Sequence, residues 1–339
     1  MMNNRRALMS WCLYDAANSA FPTVVTTFVF GAYYTQAIAK TPEEGAADWG
    51  LAVGLAAIAV AVAGPVLGAI ADQGGRQKPW LAGFTALCVA ATALLWFATP
   101  EPGSSIWALS FVALALFAFE LGMVFYNAML PGLAPIAYLG RVSGWGWGCG
   151  YIGGLSCLAL GLVGFVQTDT PWFSIPTNEA MHIRAVMILV AVWFAVLSLP
   201  LFFFTPDRPT PGRPFPVVVR AGLGQLIDTI RHARHYSGLG RYLLAHMIYA
   251  DGLNTLFTFG GIYAASEFGM KITEVIQFAI ALNVTAGLGA LTFAWVDDRI
   301  GAKLIIVMSL MALIIFGAGL LIVETTFWFW VFGMGLGVF

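Results

Sequence analysis

Apolar runs of about twenty residues succeed one another along this chain, and that spacing leaves few folds open. Roughly 20 apolar residues is the length at which a helix crosses the hydrocarbon core of a bilayer. Nine such runs fall at about 11–38, 49–71, 80–98, 106–127, 145–166, 185–204, 242–264, 275–296 and 303–323, and a tenth opens at Phe327 and is still apolar at Phe339. A soluble chain would need a charged surface to cover so much apolar sequence, and soluble domains carry about 25% charged residues. Here 10% are charged and 60% hydrophobic. The expected fold class is an all-α polytopic membrane protein.

Lys and Arg placement orients the runs, because cytoplasmic loops carry an excess of both. Threading the runs back and forth puts Arg5, Arg6, Arg76, Lys78, Arg141, Arg208, Arg213, Arg220, Arg231, Arg234, Arg241, Arg299 and Lys303 on one side. Lys40, Arg184 and Lys271 fall on the other, so the 16 basic residues split 13 to 3. The N-terminus is therefore expected in the cytoplasm. The first run is too long for a cleaved signal, whose apolar region is about 7–15 residues, and it carries Asp15, Asn18 and Pro22. A net charge of −1 without long basic runs argues against nucleic acid as a partner. Cys12, Cys88, Cys149 and Cys157 show no metal or disulfide spacing, and no metal or cofactor is expected.

A proline-rich break, Pro206-Asp207-Arg208-Pro209-Thr210-Pro211-Gly212-Arg213-Pro214, follows the sixth run, and closely spaced prolines cannot continue a helix. Beyond it Val219, Leu223, Leu226 and Ile230 recur at helical spacing among Arg220, Asp228, Arg231 and Arg234. That pattern suits an amphipathic helix lying on the inner membrane surface, or a solvated helix that merely joins two halves. The chain thus divides into an N-terminal six-helix half (1–204), a cytoplasmic linker with an amphipathic helix (205–240) and an incomplete C-terminal half (241–339, helices seven to ten). The tenth run has no polar tail, which reads as a C-terminal truncation.

Two polar patterns occur twice. Asp15-Ala16-Ala17-Asn18-Ser19-Ala20-Phe21 in the first run returns as Asp251-Gly252-Leu253-Asn254-Thr255-Leu256-Phe257 in the seventh. The loop Gly68-Ala69-Ile70-Ala71-Asp72-Gln73-Gly74-Gly75-Arg76 after the second run is matched by Asp298-Arg299-Ile300-Gly301 after the eighth. Each loop sets an Asp at a helix end and a Gly three residues on, where a glycine permits a tight turn. Two echoes in the same order point to a parallel internal repeat.

At these residues the chain resembles a known family. Gly68-x-x-x-Asp72-x-x-Gly75-Arg76 is similar to the signature loop between helices two and three of the major facilitator superfamily, with Gln73 and Gln77 where basic residues are usual. Tyr14-Asp15-Ala16-Ala17-Asn18-Ser19-Ala20-Phe21, Phe125-Tyr126-Asn127-Ala128-Met129-Leu130-Pro131, and Arg141-Val142-Ser143-Gly144 leading into Gly148-x-Gly150-Tyr151-x-Gly153-Gly154 resemble its vacuole-effluxer-like branch, the autophagy-related amino-acid effluxers. The resemblance implies two pseudo-symmetric six-helix halves around a central cavity, alternating access, and a setting in a bacterial inner (plasma) membrane. About nine and a half of the twelve helices would be present.

Acids inside a span are costly, about 2.5–3.5 kcal/mol each, and mark functional positions. Away from the span ends these are Asp15, Glu120 and Asp251. Tyr14, Asp15 and Asn18 share a helix face, as do Glu120 and Asn127, and Asp251 with Asn254 repeats the first set. They are the candidate substrate or proton pathway, or else braces between helices. Gly68, Asp72, Gly75, Arg76, Asp298, Arg299 and Gly301 are the candidate cytoplasmic gate loops. No phosphate loop and no nucleophile–base constellation is present, so neither direct ATP drive nor an enzyme is expected. The functional expectation is a secondary transporter of a small polar solute, an amino acid first, with proton coupling, working as a monomer in the lipid bilayer. The alternatives are a transporter of a sugar, peptide or drug, and a membrane binding or scaffold protein that kept the fold without transport.

Overall fold

The computed structural model describes residues 5–168, 170–209, 212, 214–232, 237–270 and 272–339, with backbone alone at 137, 215, 230, 237, 239, 254, 255, 257–262, 265, 266, 272, 273, 275, 276, 298 and 302. Every apolar run lies on a helix, and no strand occurs among the described residues. Helix α1 (Arg5–Asn18) continues through π-helical turns Phe21–Phe28 and Tyr34–Ile38 around a short α turn, Phe30–Tyr33. It is followed by α2 (Pro42–Gly74), α3 (Lys78–Leu94), α4 (Ser105–Leu133), α5 (Leu139–Gly161) and α6 (Met181–Phe204). A linker helix (Phe215–His232) leads to α7 (Ser237–Phe268), α8 (Ile272–Ile300), α9 (Ala302–Ile322) and α10 (Thr326–Val338).

Among the described residues, seven helices with their flanking turns are long and apolar enough to cross a membrane: α2 to α6, α8 and α9. The π turns divide the first run, and α10 has 13 residues. Exposed apolar side chains such as Leu304, Met311, Ile314, Leu321 and Ile322 on α9 form a surface that hydrocarbon accepts and water does not. The protein is an integral membrane protein.

Local sequence sets the ends. Thr41 caps α2, its Oγ1 accepting from the Glu44 N–H at 3.2 Å, with Pro42 in the first turn and Glu43 and Glu44 beside the positive helix end. Gly75, at φ +78°, stops the helix in a conformation that other residues rarely take. Gly301 does the same after α8 at φ +85°. In both turns the glycine N–H donates to the carbonyl four residues back, Ala71 and Asp297, at 2.9 Å.

Two apolar clusters form. The large one runs through α1 to α6, with Trp11, Phe21, Phe30, Tyr34, Leu81 and Tyr126 among its buried side chains. A small one gathers Ala264 of α7, Met270 of the turn that follows it, Phe278 of α8 and Phe329 of α10. Helix α1 sits inside the large cluster, pressed against α5 and α6. The α5 glycines make this possible. A Cβ at Gly153 would strike the Ala16 backbone, one at Gly154 would lie 2.6 Å from Thr23 Oγ1, and one at Gly146 would lie 2.7 Å from the Trp11 ring. Small residues at such crossings let backbones meet. The Trp193 indole N–H of α6 donates to the Ala16 carbonyl at 3.1 Å and fixes the other side.

The linker helix does not lie free. It packs along α2, with Gly222 so near Ala69 and Ile70 that a Cβ would come 2.8 Å from their backbones. Gln73 Nε2 donates to Gln225 Oε1 at 2.6 Å. Its docked face carries Val218 and Gly222, while Leu223 of the expected apolar stripe is exposed.

These contacts make the α1–α5 crossing intolerant of bulk. Gly153→Leu is expected to lower stability by about 1–3 kcal/mol or more, read as a fall in Tm in detergent micelles. Gly54→Leu, where a Cβ meets nothing within 4 Å, should stay within about 0.5 kcal/mol.

Candidate functional site

The polar stripe of α1 faces a cavity of about 360 Å³, the small end of the roughly 300–1,000 Å³ usual for ligand sites. Its polar wall is Asp15, Asn18, Ser19, Thr23, Thr27, Tyr151 and Asn283, and its apolar wall includes Pro22, Phe28, Phe119, Met123 and Trp147. Helices α1, α4, α5 and α8 all contribute, so the chain on both sides of the linker builds the site. The π turn Phe21–Phe28 carries four of these residues, and such turns are frequent at functional sites.

Asp15 is 7% exposed and Asn18 1%. The Asp15 carboxylate fits against α5 where Gly146 and Gly150 leave room, since Cβ atoms there would come 3.0 and 3.4 Å from its oxygens. Asn18 Nδ2 donates to Met123 Sδ at 3.2 Å, and Ser19 Oγ donates to Asn18 Oδ1 at 3.3 Å. Asn283 Nδ2 donates to the Ala279 carbonyl at 2.8 Å. Beside Asp15, α1 and α4 are joined by a stacked pair, with the Trp11 and Tyr126 centroids 4.3 Å apart at 6°. The Trp11 indole N–H donates to the Tyr126 carbonyl, and the Tyr126 hydroxyl donates to the Trp11 carbonyl.

Not every residue singled out in the sequence reaches the cavity. Tyr14 turns toward α3, sharing a hydrogen bond of 2.7 Å with Thr85 Oγ1, and braces the helices. Glu120 and Asn127 are exposed, on the α4 face between the cavity-lining Phe119 and Met123 and Val124. Val124 lines a second groove, of about 570 Å³, between α2, α4 and the linker helix. Asp251 is exposed, and the side chain of Asn254 lies outside the described residues. The cavity residues that sequence reasoning missed, Trp147, Tyr151 and Asn283 among them, carried weak signals. Tyr151 stood in a glycine-rich motif, and Asn283 was one amide within an apolar run.

The gate loops lie where the bundle's basic residues gather, called the basic end below. Gly68 and Asp72 line the second groove. Asp72 pairs with Arg208 at 3.6 Å, and Arg76 is exposed. The α3 N-terminus is held by Asp207, whose Oδ1 accepts from the N–H groups of Gln77 and Arg208, each at 2.9 Å. Lys78 Nζ donates to the Phe202 and Thr205 carbonyls at 2.8 and 2.6 Å, closing the end of α6. These two contacts put each charge at the helix end of opposite polarity. At the other loop Arg299 is exposed, and the side chain of Asp298 lies outside the described residues. Its neighbour Asp297 reaches α5, where a Cβ on Gly140 would collide with its carboxylate. The Arg141 guanidinium lies 4.5 Å from the Trp295 ring centre. A Cβ on Gly144 would come 2.8 Å from the Ala290 carbonyl. Thus α5 and α8 meet tightly at the basic end.

Removing the α3 clasp should be measurable. Asp207→Ala is expected to cost about 0.5–2 kcal/mol in reversible unfolding in micelles, and no change would show that water replaces the carboxylate.

Comparison with known proteins places this geometry. Residues 136–338 match the family model described as vacuole effluxer Atg22 like, and residues 2–157 match the Major Facilitator Superfamily model. Over 330 residues the chain is 28% identical to the uncharacterized MFS-type transporter YxiO of Bacillus subtilis (strain 168), covering 96% of this chain and 75% of that protein. Autophagy-related protein 22-1 of Penicillium rubens is 23% identical over 170 residues, 47% of this chain and 27% of that one. The solved structure of the proton:xylose symporter XylE bound to 6-bromo-6-deoxy-D-glucose superposes with a TM-score of 0.67 at 11% identity, covering 98% of this chain and 78% of that one. That likeness shows the fold: a major facilitator helix bundle.

Proposed function

The chain belongs to the Atg22-like vacuole effluxer family of the major facilitator superfamily, and on that footing we propose that it is a secondary active transporter moving a small polar solute, an amino acid first, by alternating access. The observation that carries this reading is the cavity walled jointly by α1, α4 and α5 on one side of the linker and α8 on the other. A solute held there touches parts of the chain on both sides of the linker, so a rocking motion between them would change its exposure. The α5–α8 contact at Gly144 and Ala290 closes one face of such a pathway. We take the basic end as the cytoplasmic face of a bacterial inner membrane, with residues 1–204 and 241–339 as the two moving halves.

Proton coupling is assigned to Asp15, a carboxylate in the cavity wall that a proton can neutralise when the site changes exposure. Glu120 on α4, beside the cavity face, is the second candidate. The test is uptake into proteoliposomes from a panel of amino acids, peptides and sugars, with and without an imposed proton gradient. Gradient-dependent movement of amino acids is expected, and failure of every solute to move sinks the transporter reading. Asp15→Asn should reduce gradient-dependent uptake at least about tenfold, a loss of about 1.4 kcal/mol, in protein that still elutes as a folded species. If Glu120→Gln abolishes the dependence and Asp15→Asn does not, the proton travels on α4.

A further inference from the structure

We propose that the cavity recognises its solute by an ammonium group and makes no use of a carboxylate, so that an amine with an apolar body binds as well as the amino acid of the same side chain. This rests on the cavity being the solute site.

The hydrogen-bonding inventory of the wall is one-sided. Its described lining residues include the carboxylate of Asp15 but no Lys, Arg or His. Its neutral donors are largely engaged within the protein. Asn18 Nδ2 donates to Met123 Sδ, Ser19 Oγ to Asn18 Oδ1, Thr27 Oγ1 to the Pro22 carbonyl at 2.9 Å, and Asn283 Nδ2 to the Ala279 carbonyl. Each amide keeps one further N–H, the Trp147 indole adds one N–H donor, and the hydroxyls of Thr23 and Tyr151 can give or take. Acceptors outnumber these: the Asp15 oxygens, the amide Oδ1 atoms and the hydroxyl lone pairs.

An ammonium brings three donors and no acceptor, the complement of such a wall. A carboxylate brings acceptors only, and would meet the Asp15 charge with no cation among the described lining residues to offset it. The α5 glycines leave the room that the Asp15 carboxylate occupies in the cavity wall. Trp147 and Tyr151, with ring centres 6.1 Å apart, add aromatic faces that attract a cation. Phe28, Phe119 and Met123 supply the surface for a hydrocarbon body.

The experiment uses three ligands that share a phenyl ring and differ in the charged groups on its side chain: 2-phenylethylamine with an ammonium, phenylalanine with both groups, and 3-phenylpropionate with a carboxylate. Binding of the labelled amine to the purified chain at neutral pH is competed with the other two. The expected result is that amine and amino acid bind within about fivefold of each other and the acid at least about tenfold more weakly. Asp15→Asn should weaken the amine at least about tenfold, whereas Glu101→Gln, an exposed residue outside the cavity, should leave it unchanged. If Asp15→Asn fails to fold, the competition series on the unmodified chain decides alone. Acid binding as tight as the amine, amine binding unaffected in a folded Asp15→Asn, or no binding of any of the three overturns the assignment. The vesicle panel separates the two failures: if solutes still move, only the ammonium assignment falls, and if none moves, the transport reading falls with it.

Discussion

The α1–α5 crossing is the contact on which the rest of the structure depends. Where α5 presents glycine, the α1 backbone comes within van der Waals reach, and the contact leaves no space for a methyl group at Gly153 or Gly154. Three consequences follow from that one approach. Helix α1 becomes the centre of the large apolar cluster rather than a peripheral span. The carboxylate of Asp15 gains a slot shaped by Gly146 and Gly150. The π turn beyond Asn18 is left facing the cavity, where Ser19 to Phe28 form one wall. Bulk at the crossing would therefore damage the site and the fold together.

Much of the fold was legible from the chain because a bilayer imposes one length on every crossing helix. The ten apolar runs became helices, and the glycines after α2 and α8 share a positive φ and a hydrogen bond to the carbonyl four residues back, although their ψ angles, −39° and 147°, send the chain different ways. The π turns of the first run were not legible, since a shift from fourth-neighbour to fifth-neighbour hydrogen bonds leaves no mark in hydrophobicity. The docking of the linker helix on α2 was hidden for a similar reason. Apolar periodicity favoured Leu223, whereas the docked face turns on Gly222, and a glycine contributes nothing to a hydrophobic stripe while allowing the closest approach.

The site was legible in depth but not in direction. Acids in apolar runs announce themselves, so Asp15 and Glu120 both stood out, yet sequence depth cannot say which way a side chain points around its helix. Asp15 and Asn18 turn toward the cavity, while Glu120 and Asn127, although on one face as expected, are exposed beside it. Asp15 and Asp251 share a spelling but not an environment, one buried and the other exposed, because burial comes from the neighbours each helix meets. Trp147 and Asn283 owe their roles to the α5–α8 contact, a tertiary fact that no local pattern encodes.

The clasp at the start of α3 has a genetic consequence. The hydrogen-bond partners of Lys78 Nζ and of the Asp207 carboxylate are main-chain groups: two carbonyls at Phe202 and Thr205, and the N–H groups of Gln77 and Arg208. Every residue carries a carbonyl, and every residue except proline carries an N–H. These four contacts make no use of the side chains at positions 77, 202, 205 and 208, although Arg208 pairs separately with Asp72 and the Thr205 hydroxyl donates to the Leu201 carbonyl. Within the clasp, the demand for a particular side chain falls on two charges, so a screen of random substitutions would find Lys78 and Asp207 sensitive alongside the Asp72–Arg208 pair and the buried Gln77.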